Sequence, residues 1–84
     1  MSLYSIRGYC SEDEVHIGWD PGFGTFFGQV KGSLEVEPRH WVGRDVGDIQ
    51  SPADLANRMA NFAEISPLLQ LRLRMDKIKE TWLS

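Results

Sequence analysis

Cysteine is nearly missing from this chain. Cys10 is the only one in 84 residues, so no intrachain disulfide can form, which excludes a stapled secreted scaffold. A reducing compartment is the default, and the expectation is a cytoplasmic protein. Histidine is almost as scarce, with only His16 and His40. Together with Cys10 and the scattered carboxylates they fall into no C-x-x-C, H-x-x-x-H or acidic-loop spacing, so no metal site is predicted. There is no G-K-[ST] triplet, and no cofactor is implied. No apolar run approaches the roughly 20 residues of a membrane span, and the opening MSLYSIRGYC lacks the apolar centre of a signal peptide. No membrane partner is expected.

Positive charge is also in short supply. Nine Lys and Arg face twelve Asp and Glu, for a net charge of −3. The imbalance is concentrated in residues 1–57, where nine acids face four bases. Proteins that neutralise nucleic-acid phosphates carry a basic excess. Nucleic acid is therefore disfavoured as a partner.

What is present is an ordinary globular composition, 42% hydrophobic and 25% charged, which argues against disorder. At this length there is room for one core, so residues 1–84 form a single domain. Its two parts read differently. Residues 1–50 are β-rich, and residues 51–84 carry two helices. Val15, Ile17 and Trp19 alternate with His16 and Gly18, the period of a half-buried strand. Asp20-Pro21-Gly22 supplies turn chemistry, with Gly22 placed for the positive φ of a type II turn. TFFGQV then resumes the strand, so Gly18 through Gly28 reads as a β-hairpin with a loop of about five residues. LYSIRGY is a weaker strand, RHWVG at 39–43 a better one, and SLEVEP is ambiguous between edge strand and loop.

The period then changes. Ser51-Pro52-Ala53-Asp54 starts a helix, with Ser as N-cap and Pro at the first helical position. Leu55, Met59 and Phe62 share one face of it. Ser66-Pro67 repeats the signal, which predicts a second helix from about residue 67 after a tight corner at Ile65-Ser66. On that helix Leu68, Leu71, Met75, Ile78 and Trp82 form a narrow apolar stripe, while Leu69 and Leu73 lie nearly opposite. Such a helix is covered on two sides: by the sheet on one, and by the first helix or another chain on the other. The fold class that follows is α+β: a small antiparallel sheet of three to four strands, followed by a two-helix hairpin packed on one face.

No catalytic constellation is organised. The segment Gly22 to Gly28 echoes a phosphate loop, but Phe27 stands where G-x-G-x-x-G needs its third glycine, and no helix start follows. Glu12, Asp13 and Glu14 read as a solvated acidic turn. The expectation is a non-enzymatic protein-interaction or regulatory module that binds another protein or itself, as a homodimer. Phe26 and Phe27 are adjacent in a strand and so point to opposite sheet faces, as do Trp41 and Val42. Thirty large apolar side chains exceed the roughly 20 that a two-layer domain of this size encloses. The candidate contact residues are Leu69, Leu73 and Phe27, with Trp41 and the hairpin loop, Asp20 and Phe23 above all, as a second surface. Two alternatives stand beside this one. The acidic half, with Glu12, Asp13, Glu14, Asp20, Glu35 and Glu37, fits an inhibitor or immunity-type protein blocking a basic site on a nuclease or toxin. The glycine-rich loop fits a small-molecule binder with Trp19 and Phe23 as a lid.

Overall fold

The computed structural model describes residues 2–83, the side chains of residues 82 and 83 excepted. Four strands, β1 (Tyr4–Arg7), β2 (Asp13–Asp20), β3 (Thr25–Gly32) and β4 (His40–Val42), precede two helices, α1 (Pro52–Met59) and α2 (Pro67–Leu83). The sheet is an antiparallel meander in the order β1-β2-β3-β4, and both helices pack on one face of it. The α+β architecture is thus the one the sequence predicts. SLEVEP forms a loop. Among the described residues no helix is long and apolar enough to cross a membrane.

The core is built by strand alternation. Val15, Ile17 and Trp19 from β2 meet Phe26 and Val30 from β3, all buried. Trp19 lies directly across from Phe26, with ring centroids 4.8 Å apart and planes tilted by 58°, a favourable aromatic geometry. Leu55 and Met59 of α1, Ala63 and Ile65 of the connector, and Ile49 close the layer from the helix side. Ile49 is held by a hydroxyl. The buried Thr25 Oγ1 accepts from Ile49 N at 2.8 Å and donates to the Phe26 carbonyl at 2.9 Å.

Three local expectations are corrected. The positive φ of the hairpin turn belongs to Gly24 (φ 63), not Gly22. Asp20 Oδ1 accepts from Gly22 N at 2.9 Å and Phe23 N at 3.3 Å, which holds the first residues in a right-handed turn. Gly24 N then closes on the Asp20 carbonyl at 2.8 Å, and only a residue without Cβ takes that left-handed position cheaply. The first helix begins as predicted, with Ser51 Oγ accepting from Asp54 N at 3.1 Å, but it ends at Met59. Phe62 is therefore not on its face. Tyr9 N captures the Phe62 carbonyl at 2.8 Å, and the Phe62 ring stacks on His40 at 4.4 Å. Residues 60–66 form a longer connector than a tight corner.

The third correction concerns α2. Its sheet-facing side is Leu69, Leu73, Asp76, Lys77 and Glu80, and Leu73 is 0% exposed. Tyr4 Oη donates to Asp76 Oδ2 at 2.5 Å, and Lys77 Nζ lies 5.3 Å from the Trp19 ring centroid. Lys77 Nζ also donates to the Gln50 carbonyl at 3.0 Å. The stripe of Leu68, Leu71, Met75 and Ile78 faces outward instead, each residue between 52% and 65% exposed. The side chain of Trp82, the fifth member of the expected stripe, lies outside the described residues. Periodicity defines both faces of a helix equally well; the small core has space for Leu73, and that sets the rotation.

Candidate functional site

The sheet face turned away from the helices is built from the residues between the core positions. Cross-strand pairing places Ser5, His16, Gln29 and Trp41 in one row and Gly18 opposite Phe27 in the next. Gly18 is what lets Phe27 lie flat. A Cβ there would come within 2.9 Å of Phe27 Cζ and 2.0 Å of the Ser2 carbonyl oxygen. Phe27 consequently forms a floor and is 8% exposed despite its position on the open face.

Around that floor rises a cleft of about 570 Å³. Leu3, Phe23 and Trp41 make its apolar walls, and His16, Asp20, Gln29 and Arg44 contribute polar groups. The walls are well supported. Gly47 N donates to the Phe23 carbonyl at 2.9 Å and Gln50 Nε2 to the Gly24 carbonyl at 2.7 Å, tying the hairpin tip to the segment that follows β4. Trp41 sits on β4, paired with Gln29. The Arg44 guanidinium carbon lies 4.6 Å from the Trp41 ring centroid, a cation–π geometry. His16 Nδ1 and Ser5 Oγ are 3.0 Å apart, which orients the imidazole at one rim.

Four of the six candidate contact residues thus come together: Asp20, Phe23, Phe27 and Trp41. Leu69 and Leu73 do not join them. Leu73 is wholly inside the core and Leu69 is half-buried against it, on the opposite side of the sheet, so Leu73 has no surface to offer a partner. Sequence reasoning missed Leu3, His16, Gln29 and Arg44. The register of a hairpin closed at Asp20–Gly24 is the signal that aligns His16 with Gln29 and Gly18 with Phe27.

Chemically, the cleft offers aromatic and aliphatic contact area and a few hydrogen-bonding groups at its edge. The carboxylate of Asp20 already holds the turn. Cys10 is exposed in the segment between β1 and β2. Among the described residues there is no group of three or more His, Cys, Asp or Glu placed to hold a metal ion. Compared with protein-family models, with curated proteins and with solved structures, the chain matches none.

Proposed function

We propose that this chain is a non-enzymatic interaction module whose open sheet face docks a segment of another protein. The observation that carries this reading is the cleft floored by Phe27 and walled by Phe23 and Trp41, on a sheet face that neither helix covers. Aromatic residues and Arg are enriched in interface cores and hot spots, and the Trp41–Arg44 pair supplies both at one wall. Phe23 and Trp41 are 47% and 43% exposed, so apolar area is available without any rearrangement. A partner segment bringing one bulky apolar side chain fills the space between them, with His16 and Gln29 in reach of its backbone.

The cleft volume also falls within the range of small-molecule sites, and an aromatic metabolite is the second reading. The open walls favour the protein, because small ligands are mostly enclosed by their sites. The acidic-inhibitor alternative loses support from ion pairing. Arg39 engages Asp13 and Glu35, Lys31 lies 3.9 Å from Glu14, and Asp20 holds its own turn.

The test is a photo-crosslinking amino acid placed at Phe23 and, as control, at the still more exposed Val36, in the native host. The reading expects a discrete polypeptide adduct from position 23 alone, lost on Trp41→Ser. Identical adducts from both positions, or none from either, refute it. A small-molecule adduct in place of a polypeptide hands the site to the second reading.

A further inference from the structure

The outward stripe of α2 is a second surface, separate from the sheet cleft and independent of the reading given to it. Leu68, Leu71, Met75 and Ile78 follow one another at intervals of three, four and three residues. At about 100° per residue they occupy an arc of only about 80°. That is the width of a coiled-coil seam, not the broad apolar face of a helix lying in a membrane surface. All four are more than half exposed in the folded chain.

The borders of the seam are basic on both sides. Arg72 and Lys79 follow one edge and Arg74 the other, all three exposed. None of them forms an ion pair with another described residue. The acids of the same helix, Asp76 and Glu80, lie on the sheet-facing side, and Asp76 is engaged by Tyr4. A recess of about 230 Å³ adjoins the seam, lined by Pro52, Pro67, Gln70, Leu71 and Arg74.

We infer that this face docks an amphipathic helix of a different protein, one carrying an apolar seam at the same spacing and acidic residues on both flanks. A second copy of this chain fits poorly. In a parallel pair Arg74 would meet the partner copy's Lys79, and in an antiparallel pair each basic edge would face its own copy, the Arg74 edge against itself and the Arg72 and Lys79 edge against itself. Like charges at these flanking positions oppose pairing, and opposite charges select the partner. The recess beside Leu71 receives one larger side chain of the docked helix, and Arg74 receives a carboxylate.

The experiment uses the full chain and two synthetic peptides. Both carry Leu at the two seam positions of each heptad; one has Glu at the flanking positions and its twin has Lys, so neither self-associates. Anisotropy of the labelled peptides, titrated with the chain, reads affinity. The acidic peptide should bind about tenfold or more tightly than its twin near 0.1 M salt, with the difference shrinking as salt screens the flanks. Reversing the borders with Arg72→Glu, Arg74→Glu and Lys79→Glu should reverse the preference. Leu71→Gln with Met75→Gln should remove binding while leaving the chain folded with only a small loss of melting temperature, because both side chains are already more than half exposed. Equal binding of the two peptides, or binding of neither, overturns the inference. So does a stripe-dependent dimer of the chain alone, or stripe-dependent binding to phosphatidylserine vesicles in the absence of peptide binding.

Discussion

Truncating Leu73 and Leu71 separately to Ala tests the rotation of α2, on which the proposed helix-docking surface depends. The residues are two positions apart on one helix and identical in type, so helix propensity cancels from the comparison. Leu73 is 0% exposed and touches the core, whereas Leu71 is 52% exposed. Removing a fully buried leucine side chain costs about 2–5 kcal/mol, the transfer term plus the cavity it leaves. A chain of 84 residues has a total stability of about 4–13 kcal/mol, so a loss of about 3 kcal/mol is a large fraction. With an unfolding entropy of about 2.1 cal/mol/K per residue, that loss lowers Tm by about 17 °C. Leu71→Ala removes area that is already half in water and should cost no more than about 1 kcal/mol, or about 6 °C. The assay is thermal and urea unfolding followed by far-ultraviolet circular dichroism, with both variants beside the parent. Equal losses, or a larger loss for Leu71→Ala, would show the helix rotated the other way and remove the outward seam.

Two further outcomes follow from side-chain hydrogen bonds. The Tyr4 pKa is raised, first by its hydrogen bond to Asp76, then by partial burial and the carboxylate's charge. A raised folded-state pKa stabilises the fold fully below about pH 10, and that contribution is lost as pH climbs through the folded value. Tyr4→Phe should therefore cost about 0.5–1 kcal/mol near neutrality, with the difference from the parent vanishing in urea melts above that pH; a gap that is constant with pH refutes it. Thr25→Val leaves the buried Ile49 N–H without its acceptor and should cost about 1–3 kcal/mol, with faster exchange of the Ile49 amide. Thr25→Ser should keep most of the protection, and equal losses from Val and Ser would place the cost in packing instead.

Particular residues show why some of this architecture is legible in the sequence and some is not. Strand β2 announces itself because Val15, Ile17 and Trp19 alternate with residues of a different character. Both helix starts are written in local chemistry, Ser51-Pro52 and Ser66-Pro67, and Ser66 Oγ accepts from Leu69 N as such a cap should. The stop of α1 is not wholly local. The chain tightens into turns after Met59, with Ala60 N donating to the Asn57 carbonyl and Phe62 N to that of Met59. Tyr9 N, some fifty residues away in the chain, donates to the Phe62 carbonyl just beyond. The facing of α2 is likewise nonlocal, since Tyr4, Trp19 and Gln50 receive Asp76 and Lys77 on the side that a simple polarity rule would turn to water. For the cleft, the aromatic members stand out by type. Arg44 joins through the turn at Gly43, whose positive φ (77) appears only in the folded backbone.

The excess of large apolar side chains over what one small core encloses has a specific resolution in this fold. Tyr9, Leu34, Val36 and Val46 are exposed singly in loops, but the rest of the surplus is grouped: Leu3, Phe23 and Trp41 gather on the outside of the sheet layer, and Leu68, Leu71, Met75 and Ile78 on the outside of the helix layer. The shared core separates the two, and the molecule is about 17 Å across its shortest axis. Occupants of the two surfaces would therefore approach from opposite sides and have no direct contact with each other. Any coupling between them must pass through the packed centre, where Lys77 of α2 lies over the Trp19 and Phe26 rings and Phe27, the cleft floor, is the next residue of β3. Charge divides in the same way, with the acidic excess in the sheet half and Arg72, Arg74 and Lys79, which form no ion pair with another described residue, on α2. On the two proposed readings, a domain arranged like this holds two different polypeptides at once. That is a more economical account of two separate apolar surfaces on one small core than a single broad interface would be.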